Sequence, residues 1–367
     1  MSNMPGYSLP PSGIKKLEGL VDQIVANPGR MIDVKQLADA PSALDIRNVV
    51  ATLPEGITEE DFVGMLKLAM LTESATDSYA AVFLEGARAY NATWLTRFNE
   101  KVWVPDEHTH MVPYQHMLRS LGFTDEELNR EIKETKERHY EHCCGVTPIE
   151  LTVYGTIQEF LTDHWHGLIG SVLKEAAPGA ARSANLVKRR ETLHTVWYRD
   201  MSALQVEANP ELIAYVGRSL STFEMPGTTL VPAYGLHSMR WMQTLNVDFN
   251  HIAKELVRNF AETAGSVKRS GMLLVEMAVA RGYKIGPFQP AFAQAAMNRL
   301  GGPGYGLIGE AILEKVGLPV PRSFEGPQDN ATRFYSGVFE RIRSKMRSYV
   351  AERIDVRAIT GDTSVKA

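Results

Sequence analysis

Two Glu-x-x-His tetrads, Glu107-His-Thr-His110 and Glu191-Thr-Leu-His194, lie 84 positions apart in a chain whose apolar residues otherwise recur at helical spacing. Residues three apart share one helical face, so each tetrad offers a carboxylate and an imidazole on the same side of a helix. Buried without partners, such groups are costly. Two tetrads therefore favour a fold in which two helices aim them at one place. A four-helix bundle, with a further carboxylate from each of two more helices, holds two iron or manganese ions in this way.

The rest of the chain fits a helical reading. Thr58-Glu-Glu-Asp61 predicts a helix start, followed by Phe62, Leu66, Ala69, Thr76, Ala80 and Phe83 at helical spacing, with Glu73 inside that apolar stripe. Further helices are expected over about 92–118, interrupted by Pro105 and Pro113, and from near Thr124. Others are expected over about 149–176, stopped by Pro178-Gly179, and over about 183–206, ended by Ala208-Asn-Pro210. Lys133 to His142 reads as charged and solvent-facing, and Gly145 to Pro148 as a turn. Helices also fit 211–221, 247–265, 266–282 and 332–354, with loops at 225–236 and 301–304. No strand alternation or repeat emerges. The expected fold is all-α: a bundle over about 58–206 with additional helices, in one domain spanning 31–355. An arm over 1–30 precedes it and a polar tail over 356–367 follows.

Helices joined by a tight turn run antiparallel, so facing residues lie equally far from the turn. Around Tyr90-Asn91 the position opposite the first tetrad is near 72, where Glu73 stands. Around Pro178-Gly179 the position opposite the second is near 164, which admits Glu159 and Asp163. Glu159 shares its face with Thr152, Gly155, Thr156, Thr162 and His166, a small polar stripe that an apolar core would not select. A buried unpaired carboxylate costs several kcal/mol or stays protonated, and a metal ion is the natural compensation. Oxygen-rich ligation with one imidazole per ion suits iron or manganese better than zinc.

A net charge of −4 without long single-sign blocks argues against a nucleic-acid wrapper or a polybasic membrane anchor. The two cysteines, Cys143 and Cys144, are adjacent, which excludes a disulfide framework. The N-terminus lacks a signal-peptide core, and no run approaches the roughly 18 apolar residues of a membrane span, so a soluble cytoplasmic protein is expected. His139, His142 and the cysteines lack a second spaced ligand pair and read as a surface helix end rather than a zinc site. Asp163 reads as a neighbour of the ligands and His251 as structural; Gly301 to Gly306 follows no strand and reads as a flexible connection. Lys188, Arg189 and Arg190, beside Arg182, read as an exposed basic helical face that could steer an acidic carrier.

At these residues the chain resembles the acyl-acyl carrier protein desaturases, ferritin-like di-iron enzymes. Leu71-Thr-Glu73-Ser-Ala75 with Tyr79 resembles the family's first ligand helix, and Trp103-Val-Pro-Asp-Glu107-His-Thr-His110 its second. Tyr154-Gly-Thr-Ile-Gln158-Glu159 with Thr162 and His166-Gly167 is similar to the third, and Glu191-Thr-Leu-His194 with Tyr198 to the fourth. Phe223-Glu-Met-Pro226 and Phe249-Asn-His-Ile extend the likeness, which runs from about 55 to 285.

The resemblance implies a ferritin-like bundle with Glu73, Glu107 and His110 serving one iron, Glu159, Glu191 and His194 the other, and Glu107 and Glu191 bridging. It implies that Thr162 stands beside the oxygen-binding position. It further implies an O2-dependent desaturase of carrier-bound fatty acyl chains, a ferredoxin-type electron donor, an acyl carrier protein partner and a homodimer. Two departures keep open a di-iron hydroxylase or N-oxygenase of a carrier-bound or free metabolite. Arg190 stands where the family carries Asp before the fourth-helix Glu, and Pro105 predicts a kink or bulge beside Glu107.

Overall fold

Local chemistry sets where the helices start and stop. The computed structural model describes residues 6–245 apart from 40, 214, 217, 218, 220–222 and 233, together with positions 247, 252, 255, 259 and 263. The helices expected over 266–282 and 332–354, the connection at 301–306 and His251 lie outside the described residues, and the stretches 211–221 and 247–265 are described only in part. Among the described residues there is no strand, and the chain is all-α. None of their helices is long and apolar enough to cross a membrane.

The expected N-terminal arm is largely a docked helix, α1 (Pro11–Ala26), begun by a proline in its first turn and burying Leu17, Val21 and Ile24. A short helix α2 (Val34–Asp39) follows. α3 (Glu59–Ser74) starts with Thr58 in a capping box with Asp61, as its sequence predicts. The helix expected to continue unbroken is interrupted at Ala75 before α4 (Thr76–Ala89). There Ser74 Oγ donates to the Leu71 carbonyl at 2.8 Å and Thr76 Oγ1 to the Glu73 carbonyl at 2.7 Å. Such hydroxyls compete with the helical amides.

After the turn at Asn91, whose φ is 53°, α5 (Thr93–Phe98) runs into a π-helical turn over Asn99–Trp103 and then α6 (Val104–Ser120). Pro105, in the first turn of α6, has no N–H to return to the preceding turn. The bulge it predicts therefore sits just before it. α7 (Asp125–Lys136) is boxed by Thr124 and Glu127. Beyond it the chain is not uniformly solvent-facing as expected: Tyr140 is buried and donates to the Tyr154 hydroxyl at 3.0 Å. Cys143 and Cys144 are half-buried in the following loop rather than at a helix end.

α8 (Pro148–Leu173) and α9 (Pro178–Ala208) pack along one another, as α3 packs along α6. α9 begins at Pro178, where a stop was expected, because a proline in the first turn surrenders an N–H that has no partner anyway. The connection thus falls at 174–177, which moves the mirror position of the second tetrad from near 164 to near Glu159. Two short helices, α10 (Gly227–Leu230) and α11 (Tyr234–Thr244), occupy most of the loop expected over 225–236 and extend past it. Trp241 Nε1 ties α11 to the Asp61 carbonyl of α3 at 2.6 Å.

Candidate metal centre

Each of the four central helices brings its polar residues to one level of the bundle. Glu73 comes from α3, Glu107 and His110 from α6, Glu159 from α8, and Glu191 and His194 from α9; all six are at most 3% exposed. Their ligating atoms form two groups, each with all atoms within 4.8 Å of one another: Glu73, Glu107, His110 and Glu191, then Glu107, Glu159, Glu191 and His194. Glu107 and Glu191 belong to both. The six residues singled out from the sequence are thus brought together.

Both imidazoles turn Nδ1 toward the carboxylates. His194 Nδ1 lies 2.8 Å from Glu107 Oε1, 3.4 Å from Glu159 Oε2 and 3.4 Å from Glu191 Oε2. His110 Nδ1 lies 2.9 Å from Glu191 Oε1, 3.6 Å from Glu107 Oε1 and 3.9 Å from Glu73 Oε2. The two rings stack at 5.7 Å with 21° between their planes. Despite these close approaches, Glu107 Oε1, both Glu191 oxygens and both His110 nitrogens make no hydrogen bond. Donor atoms that crowd together without bonding one another are arranged as ligands to a common ion are.

The electrostatics agree. Burial, with the charge of Glu191, pushes the Glu107 carboxyl up to about 8, and burial with Glu107 and Glu191 raises Glu159 far above the ordinary range. Burial also acts against the Glu191 anion, but the His110 charge holds it well down. Burial opposes the charging of His110 and His194, yet the surrounding acids lift both well above 6.5. Left to themselves, four clustered carboxylates must share protons. Two divalent ions would balance their four charges, so the residues fit a two-metal site.

Around this set lie residues that carry no ligand-holding signal in the sequence. Trp103 Nε1 donates to Glu159 Oε1 at 3.0 Å. His166 Nε2 lies 3.2 Å from Glu73 Oε1 and 3.5 Å from Glu191 Oε1, while its Nδ1 meets the Tyr114 hydroxyl at 2.5 Å. Asp106 is fully buried, and its Oδ2 accepts from His194 Nε2 at 2.9 Å. One clue to it is that Asp106 and Arg190 occupy the same place, just before the Glu of each tetrad, with opposite charge.

Two other expectations change. Asp163 does not face the ligands' imidazoles; its Oδ1 accepts from Lys188 Nζ at 2.8 Å and Thr192 Oγ1 at 2.6 Å. Arg190 points inward, so of the expected basic face only Arg182 and Arg189 are exposed, with Lys188 half-buried. Thr162 lies one turn beyond Glu159 and directs its hydroxyl to its own helix, donating to the Gln158 and Glu159 carbonyls at 3.1 Å each. No family model matches the chain, and no curated protein matches it.

Proposed function

We propose that the cluster holds two iron ions and that the protein is an O2-dependent oxidoreductase, a desaturase of carrier-bound fatty acyl chains. The observation carrying the metal is a buried set of four carboxylates and two imidazoles, two of the acids shared between both groups, with orphaned donor atoms facing inward. Iron is favoured by the oxygen-rich donors and by the one imidazole available to each ion. In the bound state the ions would supply the activation of O2 needed to remove hydrogen from an unactivated carbon.

The protein's own residues do the positioning. Glu73 and His110 would serve one ion, Glu159 and His194 the other, and Glu107 and Glu191 both. Trp103 fixes the direction of the Glu159 carboxylate and His166 that of Glu73. The ring cluster of Phe83, Trp103, Tyr79 and Tyr198 packs one flank of the site and keeps water from it. Thr162, by resemblance, would stand near the oxygen side. The acyl carrier, the ferredoxin-type donor and the homodimer also rest on the resemblance alone.

Hydroxylation or N-oxygenation is the second reading, favoured by the change of second-tetrad surroundings at Arg190 and by the π turn before Pro105. Iron analysis followed by turnover with acyl carrier protein, a ferredoxin system and O2 tests both. A product lighter by two hydrogens supports desaturation; one heavier by an oxygen atom supports the second reading. Less than one iron per chain after reconstitution refutes both.

A further inference from the structure

Arg190 is only 2% exposed, and its guanidinium makes contacts in two directions. Inward, Nε donates to Asp106 Oδ2 at 2.5 Å. That same oxygen accepts from His194 Nε2, while Asp106 Oδ1 stands 3.7 Å from His110 Nε2. One carboxylate thus lies behind both imidazoles, on the side away from the glutamates. Outward, Arg190 Nη1 donates to the Pro28 carbonyl at 2.7 Å and approaches that of Arg30 at 3.5 Å. Its Cζ lies 5.5 Å from the Trp197 ring centre.

The segment that receives Arg190 is shaped for it. Gly29, between the two carbonyls, has φ +73°, and a Cβ there would lie 3.0 Å from Arg190 Nη1 and 3.3 Å from Leu193 Cδ1. A side chain at 29 would be strained and would press on the guanidinium. α1 anchors the segment from the other end through buried Leu17, Val21 and Ile24, whereas Lys16 makes only a solvent-exposed pair with Glu207 at 2.9 Å.

Charge gives the arrangement its purpose. If two divalent ions balance Glu73, Glu107, Glu159 and Glu191, Asp106 would add an unbalanced negative charge against the imidazoles. Arg190 cancels it while leaving Asp106 free to accept from the ring N–H. A lysine ammonium, a single point of charge on a flexible stem, lacks the fork that bonds Asp106 and the Pro28 carbonyl together.

We infer that Arg190 is a positioning residue for the metal centre and that the Pro28–Arg30 segment is a clasp that holds it, making the N-terminal segment an outer wall of the site. This rests on the two-metal reading of the cluster. The clasp slows metal escape by keeping Asp106 neutralised and the His194 imidazole fixed.

Cobalt(II) is the probe: it reports ligand geometry in its visible absorption without turnover. The full-length protein and the variants Arg190→Gln, Arg190→Lys, Gly29→Val and Lys16→Ala are loaded with cobalt, and release into excess chelator is timed. The expected result is two cobalt ions in the parent protein and about 10–100-fold faster release from Arg190→Gln, with an altered spectrum. Arg190→Lys should restore the spectrum partly. Gly29→Val, which leaves every ligand in place, should release cobalt several-fold faster, whereas Lys16→Ala should behave as the parent. Parent-like spectra and release from both Arg190→Gln and Gly29→Val overturn the clasp and leave the metal reading standing. A parent protein that binds no cobalt, iron or manganese overturns both. Should Arg190→Gln not fold, Gly29→Val alone decides: parent-like release refutes the inference.

Discussion

Trp103 and Glu159 are joined by an indole N–H donated to a carboxylate oxygen, 3.0 Å long and fully buried, linking the end of the π turn to the middle of α8. A hydrogen bond to a charged acceptor in such a place contributes about 1.5–3 kcal/mol. Trp103→Phe retains most of the packing against Phe83 and Tyr198 and removes the donor. It should cost the metal-loaded protein about that much in urea unfolding and weaken one of the two ions selectively. Equal loss of both ions would contradict the assignment of Glu159 to one of them.

Glu107 belongs to both donor groups, and its burial among other acids is unfavourable without a cation. Glu107→Gln should therefore separate function from stability. Metal analysis is expected to give less than one ion per chain. Thermal unfolding of the metal-free variant is expected at or above the temperature of the metal-free parent, because a source of repulsion is gone.

Chelation should lower the unfolding temperature of the parent. Binding to the folded state alone contributes about 2.7 kcal/mol for each site at a free-metal level one hundred times its dissociation constant. Calorimetry with and without chelator measures this, and an unchanged transition would argue that the cluster holds no metal.

His142 supplies a pH dependence remote from the ligands. Burial lowers its pKa from 6.5 to about 4, so the unfolded chain binds a proton there that the folded chain refuses. Its contribution is fully present above pH 6.5 and is lost as pH falls from 6.5 toward 4. The loss should reach about 3 kcal/mol. His142→Phe, which keeps an aromatic ring between Phe83 and Tyr154, should flatten this part of the stability curve relative to the parent.

Gly155 lets α8 and α9 approach: a Cβ there would meet the Tyr198 ring at 2.7 Å. Gly155→Ala should destabilise by about 1–3 kcal/mol in urea titration, through overpacking.

The tetrads and their partners are legible in the sequence because helical spacing and turn symmetry are local rules applied to strongly marked residues. Glu73 emerges from one such reflection, and Glu159 from another that is ambiguous with Asp163 until the start of α9 at Pro178 moves the turn. The break at Ala75 is hidden because it depends on which carbonyl each hydroxyl takes. α1 and α10 read as arm and loop because prolines at their starts mask helices that tertiary packing completes. Asp106 and Arg190 are visible as letters, but their pairing across 84 positions is a fact of the folded state.

The π turn over Asn99–Trp103 has a consequence for how this chain can change over time. Its carbonyl-to-amide step of five, from Asn99 O to the Val104 amide, stores an extra residue inside a helix. Loss of one residue there would restore ordinary winding and leave α5 and α6 in phase, whereas the same loss between Glu107 and His110 would turn one ligand about 100° from the other. A single-residue deletion over 99–102 should therefore spare metal binding far more than one inside α6, so the segment acts as slack between the outer helix and the ligand-bearing one.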